Sequence, residues 1–224
     1  MGNFYINHTV CGLEVPAVIQ QLSGSEAYVS HEKNGCFVIY DQRSEIEANP
    51  AIEKLARVPA GWNHPAEKDS RQINMLEHVP AAKPLHTLAG HALGIELSQR
   101  PSARMLSVMI VDDDIMMYWL FEGGKIADTY NSNPGYNEVS DPPRPPEGGD
   151  SSKLCAAFAC NNSNEVDQVL RADRGSYVFE FERHQALTAI LGLPQEAVAV
   201  GFHYIQAGDF QQEFDASDFV PVPR

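Results

Sequence analysis

MLSVMIVDDDIMMYWLFEGGKIADTYN, residues 105–131, is the stretch on which the fold turns. Met105 to Val111 and Ile115 to Phe121 are nearly continuous apolar runs joined by Asp112-Asp113-Asp114. Glu122-Gly123-Gly124 then turns the chain into Lys125 to Asn131. Short β-branched and aromatic runs bounded by turn residues read as strands, so this stretch predicts a three-stranded antiparallel meander. The middle strand, Ile-Met-Met-Tyr-Trp-Leu-Phe, carries apolar groups at both odd and even positions. Such a strand belongs inside a sheet, covered on both faces or on one face by a partner.

Upstream, Ala27 to Lys33 and Cys36 to Asp41 flank Asn34-Gly35. Asn-Gly supplies the two positive φ angles of a type I′ turn and so predicts a hairpin. A two-residue loop sets Lys33 opposite Cys36, His31 opposite Val38 and Val29 opposite Tyr40. Val29, His31, Val38 and Tyr40 then share one face, and Tyr28, Ser30, Phe37 and Ile39 the other. Apolar groups on both predict cover on both sides. Asn3 to Val10 alternates as a strand with His8 on its apolar side, and Val15 to Leu22 reads as a helix with Pro16 in its first turn. Asn49-Pro50 opens a helix containing Ile52, Leu55 and Ala56, and Ala60 to Ser70 is polar and irregular. From Pro84, Leu85, Leu88, Ala89, Ala92 and Leu93 fit a buried helical stripe.

Downstream, Val139 to Gly149 (VSDPPRPPEGG) is a proline-rich connector, and the place where the chain would divide if it forms two units rather than one α+β domain. Its PPRPP resembles a PxxP ligand, but a connector also needs its prolines. Asp150 is an N-cap for a helix over Ser151 to Phe158, and Asn162 or Ser163 caps another containing Val166, Val169 and Leu170. Ser176 to Phe181 reads as a short strand, and Glu182 to Leu191 as a helix ended by Gly192. Val198, Val200, Phe202 and Tyr204 alternate and predict a last strand joining the sheet. The acidic tail from Ala207 is expected to drape over the surface. The fold class is α+β: antiparallel sheet (hairpin 27–41, meander 105–131, last strand 198–205) flanked by helices, with a more helical C-terminal section.

Composition narrows the function. The chain has 224 residues, 16 basic and 30 acidic, a net charge of −14, and 43% hydrophobic residues. That apolar content is too high for a disordered acidic tail. The acidic pI argues against binding nucleic acid through its phosphates. The longest stretch free of charged residues is about 13 long, short of the roughly 18 a membrane helix needs. Residues 1–112 hold 9 basic and 12 acidic side chains, net −3, and residues 113–224 hold 7 and 18, net −11. The acidity therefore belongs to the C-terminal half, where it predicts a face suited to a basic protein partner. The N-terminus lacks the basic and apolar regions of a signal peptide, and Ile6 stands where a myristoylation signal wants Ser or Thr. Cys11, Cys36, Cys155 and Cys160 form no CxxC pair. On a helix Cys155 and Cys160 would diverge by roughly 140°. Four sparse cysteines predict reduced, buried thiols in a cytoplasm.

Few residues offer chemistry. The triple Asp lacks the spacing of a calcium loop and reads as a solvated turn. His86 and His91 are five apart, whereas a helical metal pair wants four. Glu182-Arg183-His184 starts a helix, where a neutral imidazole beside a carboxylate and a guanidinium is a candidate for acid–base work. Hydrogen-bonding a buried His is the competing reading. Tyr130-Asn131-Ser132-Asn133-Pro134-Gly135-Tyr136 leaves the sheet as a polar loop with two aromatics. It is a candidate binding loop, although Asn-Pro-Gly also simply turns the chain. No Gly-rich phosphate loop, G-x-S-x-G elbow or zinc motif is present, so neither cofactor nor metal is expected.

The words MGNFY, NGCFVIYD, YNSNPGY, GGD (148–150), ERHQAL with LGLP (182–194) and VGFHYI, together with the triple-Asp hairpin, resemble a set of bacterial cytosolic proteins of uncharacterised activity. The similarity runs from residue 1 to about 205. It implies a bacterial cytosolic origin and transfers no catalytic residue. The leading expectation is thus a non-enzymatic binding or regulatory module with an acidic C-terminal face, such as an immunity-type protein that neutralises a basic toxin. One alternative is a small-molecule enzyme using Glu182, Arg183 and His184 beside loop 130–136. Another is a structural subunit paired through Trp119 and the Met116–Phe121 strand.

Overall fold

The computed structural model describes residues 3–45, 89–136, 144–173, 175–209 and 214–224. The helix after Asn49-Pro50, the irregular segment 60–70, His86 and the start of the stripe at Pro84 lie outside these residues. So do residues 139–143 of the proline connector.

Among the described residues eight strands form one sheet in the order β7-β6-β5-β4-β1-β3-β2-β8. They are β1 (Tyr5–Cys11), β2 (Ala27–Ser30), β3 (Cys36–Asp41), β4 (Arg104–Val111), β5 (Ile115–Glu122), β6 (Lys125–Asn131), β7 (Glu147–Gly148) and β8 (Phe219–Pro221). Every neighbouring pair is antiparallel. The meander reads as expected, with Met109 opposite Met117 and Trp119 opposite Thr129. Its middle strand is covered by the protein's own chain on both faces.

Two helical layers provide that cover. On one face α1 (Val15–Leu22) and α2 (Ala89–Leu97) press Val18, Leu22, Leu93 and Leu97 onto Ile6, Val10, Phe37, Met105, Trp119 and Phe121. On the other face α3 (Ser151–Phe158), α4 (Ser163–Arg171) and α5 (Glu180–Leu191) bury Leu154, Val166, Leu170 and Leu187 against Tyr5, Val108, Tyr118 and Leu120. A third apolar cluster packs α6 (Phe202–Ala207) against Val38 and Tyr40. The caps form where the sequence puts them. Asp150 accepts from Ser152 N and Lys153 N, and Asn162 accepts from Glu165 N. Gly192, at φ 67, ends α5.

Four expectations need correction. The Asn34-Gly35 turn sets Lys33 opposite Cys36, but Val29 faces Ile39 and Tyr28 faces Tyr40. Ser30, His31 and Glu32 stand against only Phe37 and Val38, which is a one-residue bulge. Ser30 Oγ accepts the Val38 N–H at 2.9 Å, so a side chain replaces a main-chain partner. The slip exchanges the faces of β2: Val29 joins Phe37 and Ile39, while Tyr28 joins Val38 and Tyr40.

Val198 to Tyr204 is not a strand. Ala199 adopts φ 55, which no strand accommodates, and Phe202 begins α6. Asn7 Nδ2 donates to the carbonyls of Ala197 (2.6 Å) and Val200 (2.9 Å), and the Glu45 carboxylate accepts from Phe202 N and His203 N. These bonds hold the segment as a turn and a helix, and the last strand is Phe219–Pro221 at the β2 edge. The tail therefore completes the sheet rather than only draping over it.

Ser176 to Phe181 is not a strand either. Its Val178 and Phe179 N–H groups donate to the Glu182 carboxylate, capping a helix that starts at Glu180. Finally, Cys11 and Cys36, cross-strand partners with Cα atoms 4.1 Å apart, form a disulfide. The expectation of four reduced thiols fails for that pair, because the strand pairing brings together cysteines that the sequence holds 25 apart.

Candidate functional site

β4 ends, β1 begins and α5 begins at one end of the sheet, and the triple Asp sits there. Asp112 (φ 51) and Asp113 (φ 60) take the left-handed conformations of a tight hairpin turn, which Asp tolerates better than most residues. Asp113 points inward. Its Oδ2 accepts Asn3 N at 2.8 Å and its carbonyl accepts Glu180 N at 2.8 Å. Asp112 and Asp114 are exposed.

The structure brings both predicted segments to this turn. Loop 130–136 reaches it through Asn133, whose Nδ2 donates to the Asp114 carbonyl at 3.4 Å, and α5 reaches it through Glu180 N. Most of the predicted side chains face inward, however. Tyr130 is buried, stacked on Tyr118, and its hydroxyl donates to the Leu170 carbonyl. Asn131 Oδ1 accepts Asn133 N, closing the turn, and Ser132 Oγ accepts Met116 N. Tyr136 packs against the core.

Glu182, Arg183 and His184 fan apart. Glu182 caps its own helix. Arg183 is fully buried and grips Glu180 through Nε (2.8 Å) and Nη2 (3.2 Å) while donating to the carbonyls of Val169 and Ala172 at the end of α4. Its guanidinium also lies 4.8 Å from the Tyr177 ring centroid. A buried, bidentate, fully engaged guanidinium clamps two helices together. His184 Nδ1 shares a hydrogen bond with the buried Tyr5 hydroxyl at 2.9 Å, and desolvation pushes its pKa down to about 3. The imidazole is neutral and enclosed, so these three residues give acid–base chemistry no common opening to solvent. The Met116–Phe121 strand is interior too, with Trp119 only 2% exposed, and offers no free face for pairing.

Two residues missed by the sequence reading stand out. Val178 (78% exposed) and Phe179 (45%) are the large hydrophobics left in water among the described residues. Phe179 stacks on Phe181, with centroids 5.7 Å apart. The Glu180–Asp113 bond places this apolar knuckle beside the exposed Asp112 and Asp114, and Asp173, Arg174, Glu180 and Glu182 are charged residues around it in sequence. The alternation of SYVFEF gave it the signature of a half-buried strand, which concealed it.

Among the described residues no group of three or more His, Cys, Asp or Glu side chains is placed to hold a metal ion. No helix among them is long and apolar enough to cross a membrane. Comparisons with protein-family models, with curated proteins and with solved structures find no match.

Proposed function

We propose that the protein is a binding module that docks a basic protein partner at the end of the sheet formed by Asp112–Asp114 and the Val178–Phe179 turn. The observation that carries this reading is the exposed Val178–Phe179 pair tied to the acidic hairpin turn. Apolar anchors ringed by charge are the usual anatomy of a protein interface: the anchor supplies desolvation energy and the rim supplies orientation and encounter rate. With the acidic excess concentrated after residue 112, the rim selects a cationic surface. An immunity-type role, neutralising a basic toxin, fits that chemistry.

Affinity capture on three immobilised forms tests it: the natural chain, Phe179→Ser, and the double substitution Asp112→Asn with Asp114→Asn. The expected result is a basic protein retained by the natural chain, released by moderate salt, and lost from both variants. Retention that ignores both Phe179 and the two aspartates would overturn the proposal.

A further inference from the structure

At the opposite end of the sheet, β1 finishes, the β2–β3 turn folds over, and α3 and α5 terminate. These elements line an open cleft of about 650 Å³. The Cys11–Cys36 disulfide forms part of its wall, and so does Cys160. Cys11 and Cys160 are partly exposed and Cys36 is nearly buried. Cys155, the fourth cysteine, is a buried free thiol hydrogen-bonded to Cys160. The helical divergence expected for Cys155 and Cys160 does not occur. Ala159 at φ 54 ends α3, and Cys160 turns back so that its N–H donates to the Cys155 carbonyl at 3.0 Å. Cys36 and Cys155 belong to one apolar cluster with Cys11 and Cys160 packed against it, and Cys11, Cys36 and Cys160 line the cleft with Cys155 buried behind them. A chain that held its cysteines only as inert core filling would have no reason to gather a disulfide and a thiol pair there.

We propose that this cleft is a thiol–disulfide exchange site in which the Cys155/Cys160 pair and the Cys11–Cys36 disulfide trade oxidation state. Cys160, deprotonated, attacks one sulfur of the Cys11–Cys36 bond. A new S–S bond forms to Cys160, the old one breaks, and the displaced thiolate takes up a proton. Cys155, on losing its own proton, then attacks Cys160, forms the Cys155–Cys160 disulfide and expels the second thiol. Two thiols are oxidised by two electrons and one disulfide is reduced by two, with two protons passed across, so no outside oxidant is consumed. Burial and the neighbouring Cys160 push the Cys155 thiol up to about 11. Because the thiolate is the nucleophile, the second step accelerates as pH rises.

The chain itself simplifies the test. Trypsin cuts after Lys33, separating Cys11 from Cys36, and leaves Cys155 and Cys160 on one fragment between Lys153 and Arg171. Full-length protein bearing the Cys11–Cys36 disulfide is held in mildly alkaline buffer without added thiol, quenched in acid, alkylated and mapped by mass spectrometry. Expected is a Cys155–Cys160 linked fragment that grows as the Cys11–Cys36 linkage decays, at a rate independent of protein concentration. Cys160→Ser should abolish the transfer. Cys155→Ser should stall it with Cys160 joined to Cys11 or Cys36. If Cys11–Cys36 remains the sole linkage in the natural chain and Cys155→Ser traps no mixed disulfide, or if exchange scales with protein concentration, the proposal fails.

Discussion

His8 and His184 sit on opposite faces of the sheet, and both are held neutral by the interior. His8 lies between Ser107 (2.8 Å) and Ser44 (3.0 Å), and desolvation lowers its pKa from 6.5 to about 3, as it does for His184. The unfolded chain gains a proton near 6.5 that the folded chain refuses until about 3. Stability from these groups is therefore complete above the unfolded value and is lost as pH falls through that window. The slope is about 1.4 kcal/mol per pH unit for each histidine. Glu45, raised by burial, opposes this trend where it titrates. Urea midpoints measured from neutral pH downward should fall steeply, and His184→Gln should remove about half of the slope. An unchanged slope in that variant would place the proton uptake elsewhere. Sequence placed His8 on an apolar strand face and weighed a packed, hydrogen-bonded His184. It had no means of finding Ser44, Ser107 or Tyr5 as partners, because those contacts span strands and helices far apart in the chain.

Elements were legible where one local signal decided them. Asp150, Asn162 and Gly192 begin or end helices through their own side chains or conformations, and the central meander follows from its apolar runs. The failures came where a distant group overrode a local pattern. The β2 register slips because Ser30 bonds Val38 N, and Val198–Tyr204 leaves the strand conformation because Asn7 and Glu45 capture its polar groups. Helix α2 packs closely on the sheet. A Cβ at Gly94 would lie 2.7 Å from the Phe121 ring, so the helix seats directly on β5. Gly94→Val should cost about 1–3 kcal/mol by overpacking despite valine's added hydrophobicity. Chemical denaturation checks this, with Ala92→Val on the same helix as comparison, since Ala92 is exposed rather than part of the buried stripe that the sequence predicts. Equal, small effects at the two positions would mean that α2 sits farther from the sheet than described.

Across the whole molecule, α5 spans from the acidic turn at Asp113 to the cysteine cleft at Gly192. Its 12 residues cover about 18 Å, so the two proposed sites are well separated. The charge division legible in the sequence motivates the proposed docking end, while the exposed Val178–Phe179 pair was hidden by strand-like alternation. The candidate residues Arg183, His184 and Tyr130 are buried and form the internal framework behind the acidic turn. Their burial follows from long-range packing that no local pattern encodes. The central claim is that Val178, Phe179 and the Asp112–Asp114 turn act as one docking surface for a cationic partner. Backbone chemical-shift mapping with a short helical peptide rich in lysine and leucine tests it most directly. The account predicts shifts confined to residues 112–114 and 177–182, weakened by salt and absent in Phe179→Ser. Shifts scattered over acidic residues throughout the C-terminal half, unaffected by Phe179→Ser, would contradict it.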